Sequence, residues 1–399
     1  MKKSAGAFSK PRLARMKDVL NRPVEQGTLP GLVGLVSRRG ETHVVVLGTQ
    51  ARGGKIPMKR DTLFRIASMT KPVTAVGAMM LVEECKIRLD DPVDPWLPEL
   101  ASRKVLKTVA SPLDDTVPAR RPITLRDLLT FTLGLGAFMA PPGTYPIQKA
   151  MADLQVEPGP EFSRHTPDEY MKRLGSLPLA YQPGESWLYH TGHDVLGVMM
   201  ARVTGQSLGS FLQERVFSPL GMKDTAFHVP AQKISRLATA YRADSDGKLG
   251  VFDEAKGGRF ASRPKFEAGG AGLVSTVDDY AKFLRMMLNK GALGGKRFLS
   301  RPTVELMTSD QLTSGQKAGG EIFFRGAASW GFGMSVVIRR TDFYSVGRFG
   351  WDGGYGTTGH ADPAEDMIGI LMTQRLLDSP LPSAAFRDFW TLAYQAIAD

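Results

Sequence analysis

The chain opens with a helical period. Leu13, Met16, Val19 and Leu20 fall on one side and Arg12, Arg15 and Lys17 on the other, which predicts an amphipathic helix over residues 11–26. Gly27 to Gly31 break it. The runs Leu32 to Ser37 and Thr42 to Leu47, rich in β-branched residues and parted by Arg38-Arg39-Gly40-Glu41, predict a hairpin. Phe64 to Ile66 predicts a short strand or turn. The helical period returns at Val73, Val76, Met80 and Leu81 and fades near Cys85 to Ile87. Asp90-Asp91-Pro92-Val93-Asp94-Pro95 interrupts regular structure, and a helix begins near Thr124 and stops by Gly134.

Residues 136–165, with Pro141-Pro142-Gly143 and Pro158-Gly159-Pro160, read as an irregular covering segment. Thr166-Pro167-Asp168-Glu169 opens a short helix with proline in its first turn. Val195 to Val203, closed by Gly205, and Leu208 to Phe217 predict two more. Residues 230–265 are polar and uneven, which predicts a surface loop. Ser275-Thr276-Val277-Asp278-Asp279 caps an amphipathic helix through Leu288, and another helix follows Pro302. Gly331 to Arg339, Phe343 to Val346 and Met367 to Thr373 predict strands, and Ala384 to Ile397 a terminal helix. A hairpin first, helices in the middle, and strands with a helix last predict an α/β body made from both termini. It takes residues 1–90 and 265–399, with a mainly helical domain, 91–264, inserted.

Composition narrows the function classes. The 42% hydrophobic and 23% charged fractions of the 399 residues are ordinary for a globular enzyme. No run approaches the roughly 18 apolar residues of a membrane span. The basic start, Met1-Lys2-Lys3, lacks the apolar stretch of a secretory signal. The net charge of +11 is scattered, with no long basic run and no nucleic-acid motif. These features predict a cytoplasmic protein without nucleic-acid or membrane partners. The single cysteine, Cys85, allows no internal disulfide and no cysteine-rich metal site, and its place on the helix predicts packing.

Ser68-Met69-Thr70-Lys71 stands where that helix starts. Residues three apart are neighbours on a helix, so the Lys71 amine lies beside the Ser68 hydroxyl. Pro72 fits only a first turn. A serine hydroxyl becomes a nucleophile when a neighbouring base takes its proton, and a lysine can do so if burial lowers its pKa. On these four residues alone, a capping serine and a solvated lysine are the commoner pairing.

Two further stretches change the balance: Tyr189-His190-Thr191 inside Gly184 to Gly197, and Trp351-Asp352-Gly353-Gly354 inside Phe349 to Thr357. With Ser68-x-x-Lys71 they resemble, in order and spacing, the three motifs of the penicillin-recognising serine hydrolases. Within that superfamily the chain is most similar to class C β-lactamases and the related family VIII carboxylesterases. Ile123 to Leu129, Val203 to Ser207, Pro219 to Met222 and Gly269 to Thr276 also resemble family passages, so the likeness covers most of the chain. The resemblance implies an antiparallel sheet flanked by helices, the β-lactamase/transpeptidase-like arrangement.

It also implies roles. Ser68 is the expected acylated nucleophile, Lys71 its base or electrostatic support, and Tyr189 the general acid/base beside the leaving group. Thr191 takes the place of the family's asparagine, a departure; its hydroxyl is expected to bond Lys71 or substrate. Trp351-Asp352-Gly353 stands in the Lys-Thr-Gly place as a substrate-binding wall, tryptophan being the usual esterase variant. The backbone N–H groups of Ser68 and Gly354 are the expected oxyanion hole, such donors typically contributing about 3 kcal/mol each. Arg348, three residues before Trp351, carries a charge that could reach the same spot.

Two other patterns read as non-functional. Gly205-Gln206-Ser207-Leu208-Gly209 matches a nucleophile elbow but follows a helical stretch, so Ser207 reads as a helix cap. His190-x-x-His193-Asp194 lacks a third metal ligand at a recognisable spacing. Neither a cofactor nor a metal is expected, nor a Ser-His-Asp relay. The reading is a serine hydrolase that cleaves small carboxylic esters through an acyl-enzyme. A β-lactamase, a D-amino-acid peptidase or amidase, and a silent ligand-binding homologue are the alternatives.

Overall fold

The first hairpin pairs β1 (Gly31–Arg38) with β2 (Glu41–Gly48). Its turn needs two left-handed residues, supplied by Arg39 (φ 48°) and Gly40 (φ 83°). Five strands from the other end of the chain complete the sheet: β3 (Ala328–Trp330), β4 (Ser335–Val337), β5 (Phe349–Gly353), β6 (Thr357–Asp362) and β7 (Met367–Thr373). All pairings are antiparallel, in the order β3-β4-β5-β6-β7-β1-β2. This computed structural model describes residues 6–159 and 163–399. The basic start Met1–Ala5 and Pro160 of the Pro158-Gly159-Pro160 turn lie outside the described residues.

Alternation along β1 sets the two layers. Leu32 and Val36 join the apolar faces of α1 (Lys10–Glu25) and, at the chain's end, Ala384–Gln395. Val33 and Leu35 face the other way, into a larger core with α2 (Thr70–Glu83) and the helix Val277–Leu288. That core runs on into the middle of the chain, through Leu128, Leu129 and Leu174. A helix there, α3 (Thr191–Thr204), packs on α2. In chain order the helix Val277–Leu288 is α4 and the terminal one α5.

Several expectations change. Phe343 to Val346 is an irregular segment with Phe343 and Val346 exposed, and the strand begins at Phe349. β6 has no apolar run at all, yet all six of its residues are buried. Residues 136–165 contain a helix, Pro146–Asp153, that buries Ile147 and Met151. Residues 230–265 contain the hairpin Ala240–Ala243 with Leu249–Asp253. Cys85 does not pack: it is exposed, in a left-handed turn just past α2. Among the described residues no helix is long and apolar enough to cross a membrane.

Candidate active site

Ser68 lies in the single tight turn Ala67–Met69 that leads into α2. The turn is pinned by the hydroxyl of Tyr280 on α4, which donates to the Met69 carbonyl at 3.0 Å. Lys71 follows in the first turn of α2 and is completely buried. Its Nζ lies 2.9 Å from Ser68 Oγ and donates to the Gly270 carbonyl at 2.6 Å.

Beyond Lys71 the polar chain continues. His190 Nδ1 is 3.3 Å from Lys71 Nζ, and His190 Nε2 is 3.1 Å from Asp194 Oδ2. The other Asp194 oxygen accepts the Gly270 N–H at 2.9 Å. One backbone residue therefore ties both ends of the chain. A side chain at Gly270 would crowd the pair, because a Cβ would lie 3.0 Å from Asp194 Oδ1 and 3.2 Å from His190 Nε2. His190 reaches Lys71 because it precedes α3 with φ 83°, which turns its ring inward.

Burial drives the electrostatics. It lowers Lys71 from 10.5 to about 7, against the pull of the Asp194 charge. Burial and the neighbouring Lys71 hold His190 below its ordinary value, so its ring is neutral at neutral pH. Burial alone would raise Asp194, but His190, the Gly270 N–H and Lys71 together keep it low and ionised.

Tyr189 also stands beside Ser68, close enough for the serine hydroxyl to favour its ionised form. Its own hydroxyl accepts the Trp351 indole N–H at 2.5 Å, and Lys71 Nζ sits 4.4 Å from its ring centre. Burial raises the phenol well above its ordinary value. Tyr189 and Trp351 belong to an aromatic cluster with Phe131, Trp187, Phe323 and Trp330. Trp330 meets Trp351 edge-on at 4.7 Å.

Ser68, Tyr189, Trp351, Asp352 and Gly354 line one cavity of about 740 Å³. Gly353 does not. A Cβ there would lie 2.3 Å from the Ile66 carbonyl, so it lets β5 approach the segment before Ser68. Thr191 is also displaced from its expected role. It is fully buried outside the cavity lining, with its hydroxyl unpartnered, because His190 occupies the space beside Lys71. Arg348 does not reach the Trp351 side; it lies against Trp390 on the opposite face of the sheet. Ser207 caps the helix Leu208–Leu212, accepting the Ser210 N–H.

His190 and Asp194 are the site residues that sequence reasoning passed over, having weighed them only as a metal pair. The His190–Asp194 spacing of four residues, from a helix cap to its first turn, was the available signal. Among the described residues no group of three or more acidic, histidine or cysteine side chains is placed to hold a metal. The histidine–carboxylate pair touches Lys71 rather than the serine, so a lysine separates it from the hydroxyl.

Comparison with known proteins places the chain in a family. Residues 16–389 match the family described as Beta-lactamase. Protein Rv1367c of Mycobacterium tuberculosis is 40% identical over 373 residues, covering 90% of each chain. Esterase EstB of Burkholderia gladioli is 32% identical over 381 residues, again covering 90% of each. Among solved structures, EstCE1, described as a hydrolase with promiscuous acyltransferase activity, superposes with a TM-score of 0.79 at 26% identity, covering 98% of this chain and 99% of that one. The chain thus belongs to the β-lactamase family, as a β-lactamase-fold serine hydrolase close to the family VIII carboxylesterases.

Proposed function

We propose that this protein is a carboxylesterase that cleaves small esters through an acyl-enzyme on Ser68. Lys71, neutral for part of the time near pH 7, takes the Ser68 proton as Oγ attacks the ester carbonyl. The N–H groups of Ser68 and Gly354 hold the oxyanion. As the tetrahedral intermediate collapses, the proton passes through the Lys71–Tyr189 pair to the departing alcohol. Water then attacks the acyl carbonyl and gives its proton to the same pair, which returns it to Ser68 Oγ as the acyl–oxygen bond breaks and the acid leaves.

His190 and Asp194 are positioning residues in this scheme. They hold the amine of Lys71 against Ser68, and the Asp194 charge partly offsets the burial that makes Lys71 give up its proton. The observation that carries the reading is the 2.9 Å approach of a fully buried lysine, lowered to about 7, to a serine lining a cavity.

Trp351 favours esters over β-lactams. In the lactamases a lysine in this place helps hold the carboxylate beside the reactive ring; an indole has one N–H and no charge. Charge-assisted bonds are roughly twice as strong as neutral ones, so that carboxylate binds worse here. Esterase EstB fits this reading by its name. The test is kcat/KM for 4-nitrophenyl butyrate against nitrocefin. The ester should be far ahead, and comparable values for the two would overturn the assignment.

A further inference from the structure

Arg348 is an unusual wall for an ester site. It is 7% exposed, lines the cavity, and its Nε is buried without a hydrogen-bond partner. Its guanidinium carbon lies 4.0 Å from the ring centre of Trp390 and 4.6 Å from that of Tyr344. Ring contacts engage the face of a guanidinium and, with Nε sealed from the cavity, leave the edge of its two terminal nitrogens able to take a planar anion bidentately.

Two carboxylates stand nearby, and neither is hydrogen-bonded to Arg348, although its charge helps hold Asp352 low. Asp352 is bonded to His360 at 3.0 Å and to Thr358, and Asp362 to the Ser345 N–H and the Tyr394 hydroxyl. Arg387 lines the cavity nearby on α5 and donates to the Pro382 carbonyl.

Strand alternation explains how one cavity meets both Trp351 and this arginine. Phe349 and Trp351 face the Ser68 side; Asp352, His360 and Arg348 lie with Trp390 on the other. β4 pairs with β5 at Phe349 and Gly350, and Val337 bonds the Arg348 carbonyl, but the ladder does not continue to Trp351. The cavity wraps around β5 there.

We propose that Arg348 is the docking residue of an anion subsite, and that the preferred substrates are esters that themselves carry a carboxylate. The proposal takes the site of cleavage from the Ser68 reading, whereas anion binding does not depend on it. This subsite is not the lactam carboxylate site, since it lies across the sheet from Trp351.

The test compares 4-nitrophenyl hydrogen glutarate with 4-nitrophenyl pentanoate, which match in acyl length and differ in the terminal carboxylate. Wild type should favour the glutarate by about tenfold or more in kcat/KM, and that ratio should collapse in Arg348→Met and recover partly in Arg348→Lys. Using the ratio cancels any general loss in the variants. A wild-type ratio of one or below, or a ratio that Arg348→Met leaves unchanged, overturns the proposal. Should Arg348→Met not fold, inhibition of wild-type pentanoate hydrolysis by free glutarate, absent with glutaramide, decides the point. Calorimetric titration of glutarate into Ser68→Ala separates the two claims. Binding there supports the subsite even if Ser68 proves not to be the nucleophile, and no binding overturns it.

Discussion

The two sides of Ser68 are both buried, but they are built from opposite materials. On the Lys71 side the neighbours are a carbonyl, an imidazole and a carboxylate. On the Tyr189 side they are indole and phenyl rings around one short hydrogen bond. Burial penalises the charged form on both sides, with opposite consequences. It brings the lysine down to about 7, where losing a proton is easy, and pushes the tyrosine up, where losing one is hard. In the proposed mechanism this difference makes Lys71 the base and Tyr189 a neutral hydroxyl that passes a proton along.

The largest effect tests the point between the two sides. Ser68→Ala should abolish both phosphonate labelling and ester turnover, while Ser207→Ala, altering only a cap, leaves both nearly intact. Labelling that survived in Ser68→Ala would remove the centre of the comparison.

Next come the two sides themselves. Lys71→Ala and Tyr189→Phe should each lower kcat by about 10²–10⁴-fold, the usual size of a general acid–base contribution. Because they serve one proton path, the double variant should lose much less than the product of the two. Multiplicative losses would mean that the sides act independently.

The pH profile separates the sides by sign. Only neutral Lys71 accepts a proton, so kcat/KM for an uncharged ester should rise with pH up to about 7 and then level. His190 and Asp194 are both held below their ordinary values, so each titrates below the Lys71 limb. Asp194→Asn removes the charge that favours the ammonium form. Its limb should move to lower pH, with a loss of roughly tenfold on the plateau from poorer positioning. A merely structural role for Asp194 would lower the plateau without moving the limb. The same shift has a stability consequence. Unfolded Lys71 titrates near 10.5, so between about 7 and 10.5 the unfolded chain binds the extra proton. This group's contribution therefore opposes folding in full below about 7 and is relieved as pH rises toward 10.5. Lys71→Met should raise the melting temperature at neutral pH while removing activity, and a lowered one would show that the ammonium is well compensated.

How much of this was legible in the sequence follows from what each residue touches. Ser68 and Lys71 are three apart, so a local rule finds them. Tyr189 and Trp351 emerge from the order of the motifs. His190 is 119 residues from Lys71, and no spacing rule connects them. The apolar pattern also hid them. It placed the helix start at Val195, whereas α3 begins at Thr191, because Thr191, His193 and Asp194 are polar yet buried. β6 was lost for the same reason. Its polar residues look like a loop, but Thr357 donates to the Ile66 carbonyl, His360 pairs with Asp352 and Asp362 accepts from Tyr394. Periodicity reads burial through hydrophobicity, and it fails where burial is secured by hydrogen bonds.

The smallest effect probes the aromatic side alone. Trp351 does two things: its ring walls the cavity and its N–H donates to the Tyr189 hydroxyl at 2.5 Å. Trp351→Phe keeps an apolar ring and removes the donor. A neutral hydrogen bond contributes about 1 kcal/mol net, so a loss of roughly fivefold in kcat is expected. KM for a short neutral ester should change little, since the wall remains apolar. Freed of the indole donor, the Tyr189 oxygen loses a contact that favours its ionised form, so its pKa should rise further and the limb near 7 should stay in place. That combination, a lower kcat with an unmoved limb, is the opposite of the Asp194→Asn pattern. If Trp351→Phe instead moved the limb, Tyr189 would be titrating within the catalytic range, and the assignment of the base to Lys71 would fail.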